Sequence, residues 1–309
     1  MPQYPYIVLA WALIAVGLHL VFNGRYGYAR DELYFIACAR HLAWGFVDQP
    51  PLAVLVAWAA SPFHFSVWAI RFPLAVLSGV TVLVGCATAA ELGGGKFAQN
   101  LCGLLLALAP PYLAQGYVLS TEFLQPLMWT AIMYLCIRLV KTGNSRLYFP
   151  IALAVSVAMY AKYTVAALVM SIVLSWVLTG RAKLLASRYV VIAGMLALLV
   201  LSPNALWQWH HGFPMLEVLR GGQLNRHAVH GMSVESSNIF TNALYFTVMQ
   251  VLLVNPFLAP IWICGLVALC RSGGFAPYRF IAITYFLLFT LMIVATARVY
   301  YLDGFYPTL

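Results

Sequence analysis

Long apolar runs separated by short polar breaks recur along almost the whole chain, and hydropathy predicts membrane-spanning helices near 5–22, 66–90, 100–116, 122–140, 148–161, 163–179, 189–206, 250–270 and 279–297. The runs at 148–161 and 163–179 are short and meet at "AKYT", which predicts either two half-length helices or one unusual pair. Two segments, 23–65 and 207–249, are too long to be mere connections. Within the first, Leu33, Ile36, Ala37, Arg40 and His41 recur at helical spacing, and "PPLAVLVAWAA" is apolar but too short to span. Pro50 and Pro51 separate two short helices that are expected to lie along the membrane surface. The pattern predicts an all-α integral membrane bundle with two outward-facing loops, the first containing juxtamembrane helices.

Composition agrees. Hydrophobic residues make up 63% of the chain and charged residues 8%, with a mean hydropathy of +0.89, far from a water-soluble domain. The first run lacks the basic start and small-residue cleavage site of a secretory signal, so it is expected to be a retained helix. A formal net charge of +9 raises the question of nucleic acid, but the basic residues are scattered between apolar segments and form no stripe with interleaved aromatics, so no nucleic-acid partner is expected. Nine of the Lys and Arg residues fall in "GGGK", "RLVKTGNSR", "GRAKLLASR" and "RSGGFAPYR", which the positive-inside rule makes cytoplasmic, so 23–65 faces outward. Six cysteines show no CxxC spacing and read as small apolar residues rather than a disulfide framework.

The chemistry-bearing residues are few. Asp31 and Glu32 are adjacent in "RDELYF", and neighbours on a helix point about 100° apart. They cannot share one target atom: either one acts while the other anchors, or both decorate a helix start, where carboxylates favour the dipole. Glu122, in "LSTEFLQP", stands at the outer end of a predicted span, where acids are costly and usually functional. Arg71, Lys162 and Arg298 are the outward-side cations nearest the membrane helices, with Arg220 and Arg226 in the second loop; for any one of them, snorkelling to the interface is the competing explanation. His210, His211, His227 and His230 include one HxxH pair without a metal-site spacing, so no metal ligand set is assigned, and a divalent cation stays open. Tyr300, Tyr301 and Tyr306 suit an interfacial aromatic belt.

The blocks "RDELYF", "HLAWGFVDQPPL", "LSTEFLQPLMW", "AKYT", "SPNALWQW" and "YYLDGFYPTL" together resemble, over Arg30 to Leu309, the bacterial dolichyl-phosphate-mannose protein mannosyltransferase-like family of GT-C membrane glycosyltransferases. The lipid A aminoarabinose transferases are more distantly similar. The resemblance implies one transmembrane glycosyltransferase domain over 1–309, lacking the C-terminal part of the family, in the cytoplasmic membrane with its site on the outer face. It implies a polyprenyl-phosphate sugar donor, a lipid, glycan or protein acceptor, and inversion at the anomeric carbon. Asp31 takes the place of the residue that accepts the acceptor's proton, with Glu32 beside it. Glu122, the second candidate catalytic acid, stands where the family often carries Asp in a Thr-Asp pair. Lys162, Arg71, Arg298, Arg220 and Tyr301 become the expected donor-phosphate ligands. His41, Asp48 and Gln49 become further first-loop site residues, with Gln49 where the aminoarabinose branch tends to have Lys. The rival reading is a transporter or flippase, since broken helices and charges at membrane depth also mark substrate pathways; the missing inverted repeat and the grouping of acids at one face count against it.

Overall fold

In lipid every backbone N–H and C=O must be satisfied within the chain, so each apolar run becomes helix. The computed structural model describes residues 4–218 and 239–309, and no strand occurs among them. Helix α1 (Pro5–Phe22) is followed by α2 (Arg30–Ala39) and α3 (Leu52–Ala59) of the first loop and by α4 (Val67–Glu91). Then come α5 (Lys96–Leu108), α6 (Pro110–Tyr117), α7 (Gln125–Thr142), α8 (Tyr148–Ala161), α9 (Val165–Leu178) and α10 (Arg188–His210). Helices α11 (Ile239–Val254), α12 (Ala259–Arg271) and α13 (Arg279–Val294) complete the bundle. Residues 295–309 form a C-terminal strap with 3-10 turns at Val299–Leu302 and Tyr306–Thr308. Among the described residues four helical segments are long and apolar enough to cross a membrane, or six if each bent pair counts as one span. This is a multi-pass, all-helical membrane protein.

Prolines account for two departures from the hydropathy reading. The run at 100–116 is two helices bent by 52°, because Pro110 pushes Ala109 out of the helical region to φ −68°, ψ 137°. The run at 250–270 is not one straight helix: α11 and α12 meet at 115°. Pro256 disfavours helix at Asn255, which turns to φ 92° and accepts the Phe257 N–H on its Oδ1 at 3.0 Å. The run at 122–140 starts as helix only at Gln125, leaving residues 118–124 as an irregular strap between α6 and α7. Helix reaches into the expected second loop from both sides, since α10 continues to His210 and Ile239 is already helical.

Helices α8 and α9 are 14 residues each, a rise of about 21 Å against a hydrocarbon core of about 30 Å. Lys162 to Thr164 interrupt the helical path between them. Helix α10 packs along α8, α13 along α9, α1 along α4 and α5, and α4 against α7.

The first loop is built into this bundle rather than lying free on a lipid surface. Helix α2 buries Glu32, Phe35 and Ala39 on one face, and α3 buries Ala53, Val54 and Ala57 in the same cluster as Leu119, Phe123, Leu124 and Ala161. Its fixed point is an ion pair between α2 and α4. Glu32 and Arg71 are exposed by 0% and 1%. Arg71 Nε donates to Glu32 Oε1 and Nη2 to Oε2, both at 2.8 Å. Its remaining N–H groups reach the carbonyls of Asn23 at 3.0 Å, Gly27 at 2.8 Å and Tyr26 at 3.5 Å. Glu32 also accepts the Ala29 N–H at 2.8 Å and the Leu119 N–H at 3.2 Å. All five guanidinium protons and all four carboxylate acceptor positions are thus engaged. Arg71 has no donor left for a phosphate, and Glu32 no free lone pair for a proton in flight. The expected phosphate-binding and catalytic roles do not fit so fully engaged a pair, which anchors α2 to α4.

At the opposite end of α4, Glu91 meets Lys141 at 3.1 Å, so the end holding Arg71 and the end holding the basic loops are the two faces of the bundle.

Breaking a buried pair from one side is expected to cost about 3–5 kcal/mol. Arg71→Met should lower the unfolding temperature in detergent micelles sharply, and adding Glu32→Gln should recover part of the loss. Simple additivity of the two losses would argue against the pair as the coupling between α2 and α4.

Candidate functional site

The strap at 118–124 is held by its apolar residues. Leu119, Phe123 and Leu124 are buried with Phe35, Ala53 and Val54 of the first loop, which leaves Ser120, Thr121 and Glu122 as its polar edge. The Glu122 N–H donates to Ser120 Oγ at 3.2 Å, and Thr121 Oγ1 donates to Glu122 Oε2 at 3.0 Å.

Across from it, Lys162 leaves the helical path between α8 and α9 at φ −160°, ψ 135° while its N–H still bonds the Ala158 carbonyl at 2.8 Å. The Lys162 ammonium forms an ion pair with Glu122 Oε1. Its Nζ lies 3.9 Å from the centroid of the Tyr301 ring and 5.7 Å from that of Tyr300, a cation held against an aromatic face. The two charged side chains are only 15% and 12% exposed. Burial works to raise the Glu122 carboxyl, but the Lys162 ammonium and the hydroxyls of Thr121 and Ser120 outweigh it and hold the group below its ordinary value.

The third wall is the C-terminal strap. Gln125 Nε2 donates to the Tyr301 carbonyl at 3.0 Å. A Cβ on Gly304 would lie 3.0 Å from the Gln125 carbonyl and 2.9 Å from its side chain, so the strap presses against α7 where only glycine fits. Arg298 is exposed at the rim and donates to Tyr300 Oη at 3.2 Å. Asp303 is 2% exposed; its Oδ2 accepts from Gln115 at 3.1 Å, while Oδ1 is buried without a hydrogen-bond partner. Burial pushes this carboxyl well above the usual range, the Gln115 bond opposes that, and the Glu122 charge adds to it.

The first loop approaches from the other side. Asn204 of α10 donates to the Trp44 carbonyl at 2.7 Å and accepts from Tyr163 Oη at 2.8 Å, which ties the loop to the residue after Lys162. Gly45 allows the approach, since a Cβ there would lie 2.5 Å from Trp207. Pro203 removes an N–H from α10, and the Leu199 carbonyl it strands is met by Ser202 Oγ at 2.7 Å. Asp48 Oδ1 accepts from Tyr34 Oη at 2.7 Å. Gln49 is 2% exposed with Nε2 unpartnered, and His41 is exposed. Asp31 is 52% exposed and only 3.7 Å from Arg30, which is 98% exposed, a surface pairing of little weight.

Of the residues expected from sequence, Glu122, Lys162, Tyr301 and Arg298 come together in one cluster. Asp31 sits beside the anchored Glu32, whose bond to Leu119 brings the first turn of α2 to the strap that carries Glu122. Asp31, His41, Asp48 and Gln49 belong to the first-loop side, and Arg71 and Glu32 to the anchor. Arg220, His227 and His230 lie outside the described residues. Sequence reasoning passed over Asp303, Gln125 and Asn204. Their signal was present as polar side chains in otherwise apolar surroundings, with Asn204 and Gln208 one helical turn apart.

A second cavity, of about 230 Å³, lies between α4, α5 and α12 and is lined by Leu101, Leu105, Tyr112, Leu258, Trp262 and Leu309, among others. No charged side chain lines it. Tyr112 connects it to the strap by donating to the Asp303 carbonyl at 3.2 Å.

The family model described as dolichyl-phosphate-mannose-protein mannosyltransferase matches residues 48–207, slightly more than half of the 309 residues. Glu122, Gln125, Lys162 and Asn204 fall inside the match, whereas Asp31 and the C-terminal strap fall outside it. No curated protein matches the chain.

Asn204→Ala removes the link between the first loop and the α8–α9 junction. If that link is worth about 1.4 kcal/mol, limited trypsin cleavage after Arg40 in detergent should speed up about tenfold without a comparable change in global melting. An unchanged rate would show that the Asn204 link does not hold the loop.

Proposed function

Because the chain belongs to the dolichyl-phosphate-mannose-protein mannosyltransferase family, and is therefore a membrane glycosyltransferase, we propose that it moves a sugar from a polyprenyl-phosphate-linked donor to a lipid, glycan or protein acceptor, with inversion, at the outer face of the cytoplasmic membrane. The observation that carries the reading is the sunken Lys162 ammonium, set over the Tyr301 ring beside the rim guanidinium of Arg298. A donor phosphodiester has one negative charge. As the bond from the anomeric carbon to the phosphate oxygen breaks, the electron pair stays with that oxygen and the charge grows. Cations already in place then stabilise the transition state more than the bound donor, which is the condition for faster turnover.

The acceptor hydroxyl attacks the anomeric carbon from the face opposite the phosphate and gives its proton to a carboxylate. Asp31 is the proposed base: its neighbour Glu32 is fully engaged in the anchor, and Asp31 is half-exposed at the same end of the bundle. The division of labour between the adjacent acids follows from the helical 100° step. The apolar cavity behind the strap suits part of a prenyl chain, reached through Tyr112. The outward orientation is supported by the nine Lys and Arg residues in the loops at the opposite end.

With purified protein, labelled polyprenyl-phosphate sugar and a crude envelope acceptor, the expected result is release of free polyprenyl phosphate and an inverted glycosidic product. Asp31→Asn should lower turnover about 100-fold or more with donor binding nearly unchanged, and Lys162→Gln should weaken both. Passage of intact donor across the bilayer with no phosphate released would replace this reading with a flippase. For orientation, His41→Cys in a background cleared of other cysteines should react with a membrane-impermeant thiol reagent in intact spheroplasts, and Ser145→Cys should not; the reverse labelling would put the site in the cytoplasm.

A further inference from the structure

Lys162 cannot serve a carboxylate and a phosphate equally at one time. Its ammonium is paired with Glu122 on one side and lies against the Tyr301 ring on the other. We propose that Glu122 is a resident competitor for Lys162, so that the donor's phosphate has to displace it from the cation. This rests on the reading of Lys162 as a phosphate ligand and adds a second role, a carboxylate that controls when the cation is available.

What happens to the displaced carboxylate follows from its surroundings. The groups that face it are Lys162 from the α8–α9 junction, Arg298, Tyr300, Tyr301 and Asp303 from the C-terminal strap, and Ser120 and Thr121 from its own strap. Lys162 is the largest of the influences that together outweigh burial. Once Lys162 turns to the phosphate, burial and a second anion nearby both disfavour the Glu122 carboxylate, and it takes up a proton. Donor binding is then coupled to uptake of about one proton in the pH interval between the Glu122 values of the empty and occupied sites. Below that interval Glu122 is protonated in both states, and above it in neither. Affinity therefore rises as pH falls across the interval. The order reverses after transfer: Glu122 gives its proton to the newly dianionic phosphate of the product, whose second ionisation lies at about 6, recovers Lys162, and helps expel the polyprenyl phosphate. Asp303, kept toward the neutral acid by burial, adds little repulsion in either state.

The role differs from simple support. A residue that only holds Lys162 in position strengthens phosphate binding, whereas a competitor weakens it and speeds release. The test uses the whole chain in detergent and farnesyl methyl phosphate as the probe, a diester with no second ionisation near pH 6 to confuse the titration. Wild-type binding measured by calorimetry in two buffers of different ionisation enthalpy should show proton uptake. Glu122→Gln should bind the probe about tenfold more tightly if the competition is worth about 1.4 kcal/mol, without proton uptake. In the transfer assay the same variant should lower KM and kcat together, because release slows. Glu122→Asp, which keeps the charge but draws it back by about one bond length, should bind more tightly than wild type and retain proton uptake, so the idea survives a poorly folded Gln variant. Weaker or unchanged binding by Glu122→Gln, or wild-type binding without proton uptake, would overturn the competitor role. Unchanged probe binding by Lys162→Gln would instead overturn the phosphate assignment itself, a distinct outcome.

Discussion

A charge inside this bundle must be paired, and the pair between Glu32 and Arg71 is the constraint on which the arrangement of the outer end depends. Arg71 belongs to a membrane helix, Glu32 to the first loop, and the third contact, to the Leu119 N–H, belongs to the strap leading to Glu122. One ion pair thereby fixes three parts of the chain that are far apart in sequence. Apolar packing of Phe35, Ala53 and Leu119 follows the same geometry but does not by itself choose a register, since a greasy face tolerates sliding more readily than a two-pronged guanidinium does. The benefit of such a pair is specificity more than net stability, because desolvation offsets most of its attraction.

The second pair, Glu122 with Lys162, obeys the same rule with the opposite outcome. Arg71 is satisfied five ways and has nothing to offer a ligand. Lys162 has one carboxylate and two aromatic neighbours, at a junction between helices too short to cross the membrane. A compact ammonium on a flexible stem exchanges partners easily, whereas a planar guanidinium locked in a fork does not. The residue types thus set a guanidinium fixed by its contacts apart from an ammonium whose stem leaves it freer to move.

Much of the architecture was legible in the chain, because helix-forming apolar runs and proline pairs act locally. The 14-residue helices around "AKYT" and the short helices on either side of Pro50 and Pro51 were readable for that reason. The bends at Ala109 and Asn255 were legible in principle, since both residues precede proline, but hydropathy averages over a window wider than the break. Burial was not legible. Arg71 and Lys162 look alike in sequence, each a basic residue near an outer helix end, and only the tertiary contacts with Asn23, Gly27 and Glu32 distinguish the first from the second. Asp303 was passed over because an acid among tyrosines at a chain end reads as solvent-exposed until its neighbours are known.

The adjacency of Asp31 and Glu32 follows from these constraints. An anchored carboxylate on a short helix leaves its neighbour rotated by about 100°, away from the buried face. That neighbour stays open to solvent, as the contrast between a half-exposed Asp31 and a fully buried Glu32 records. The base proposed for the acceptor hydroxyl would have to be both well placed and open to solvent, requirements that conflict for a single side chain in a membrane protein. Two consecutive acids resolve the conflict: the first keeps its access because the second has given up its own.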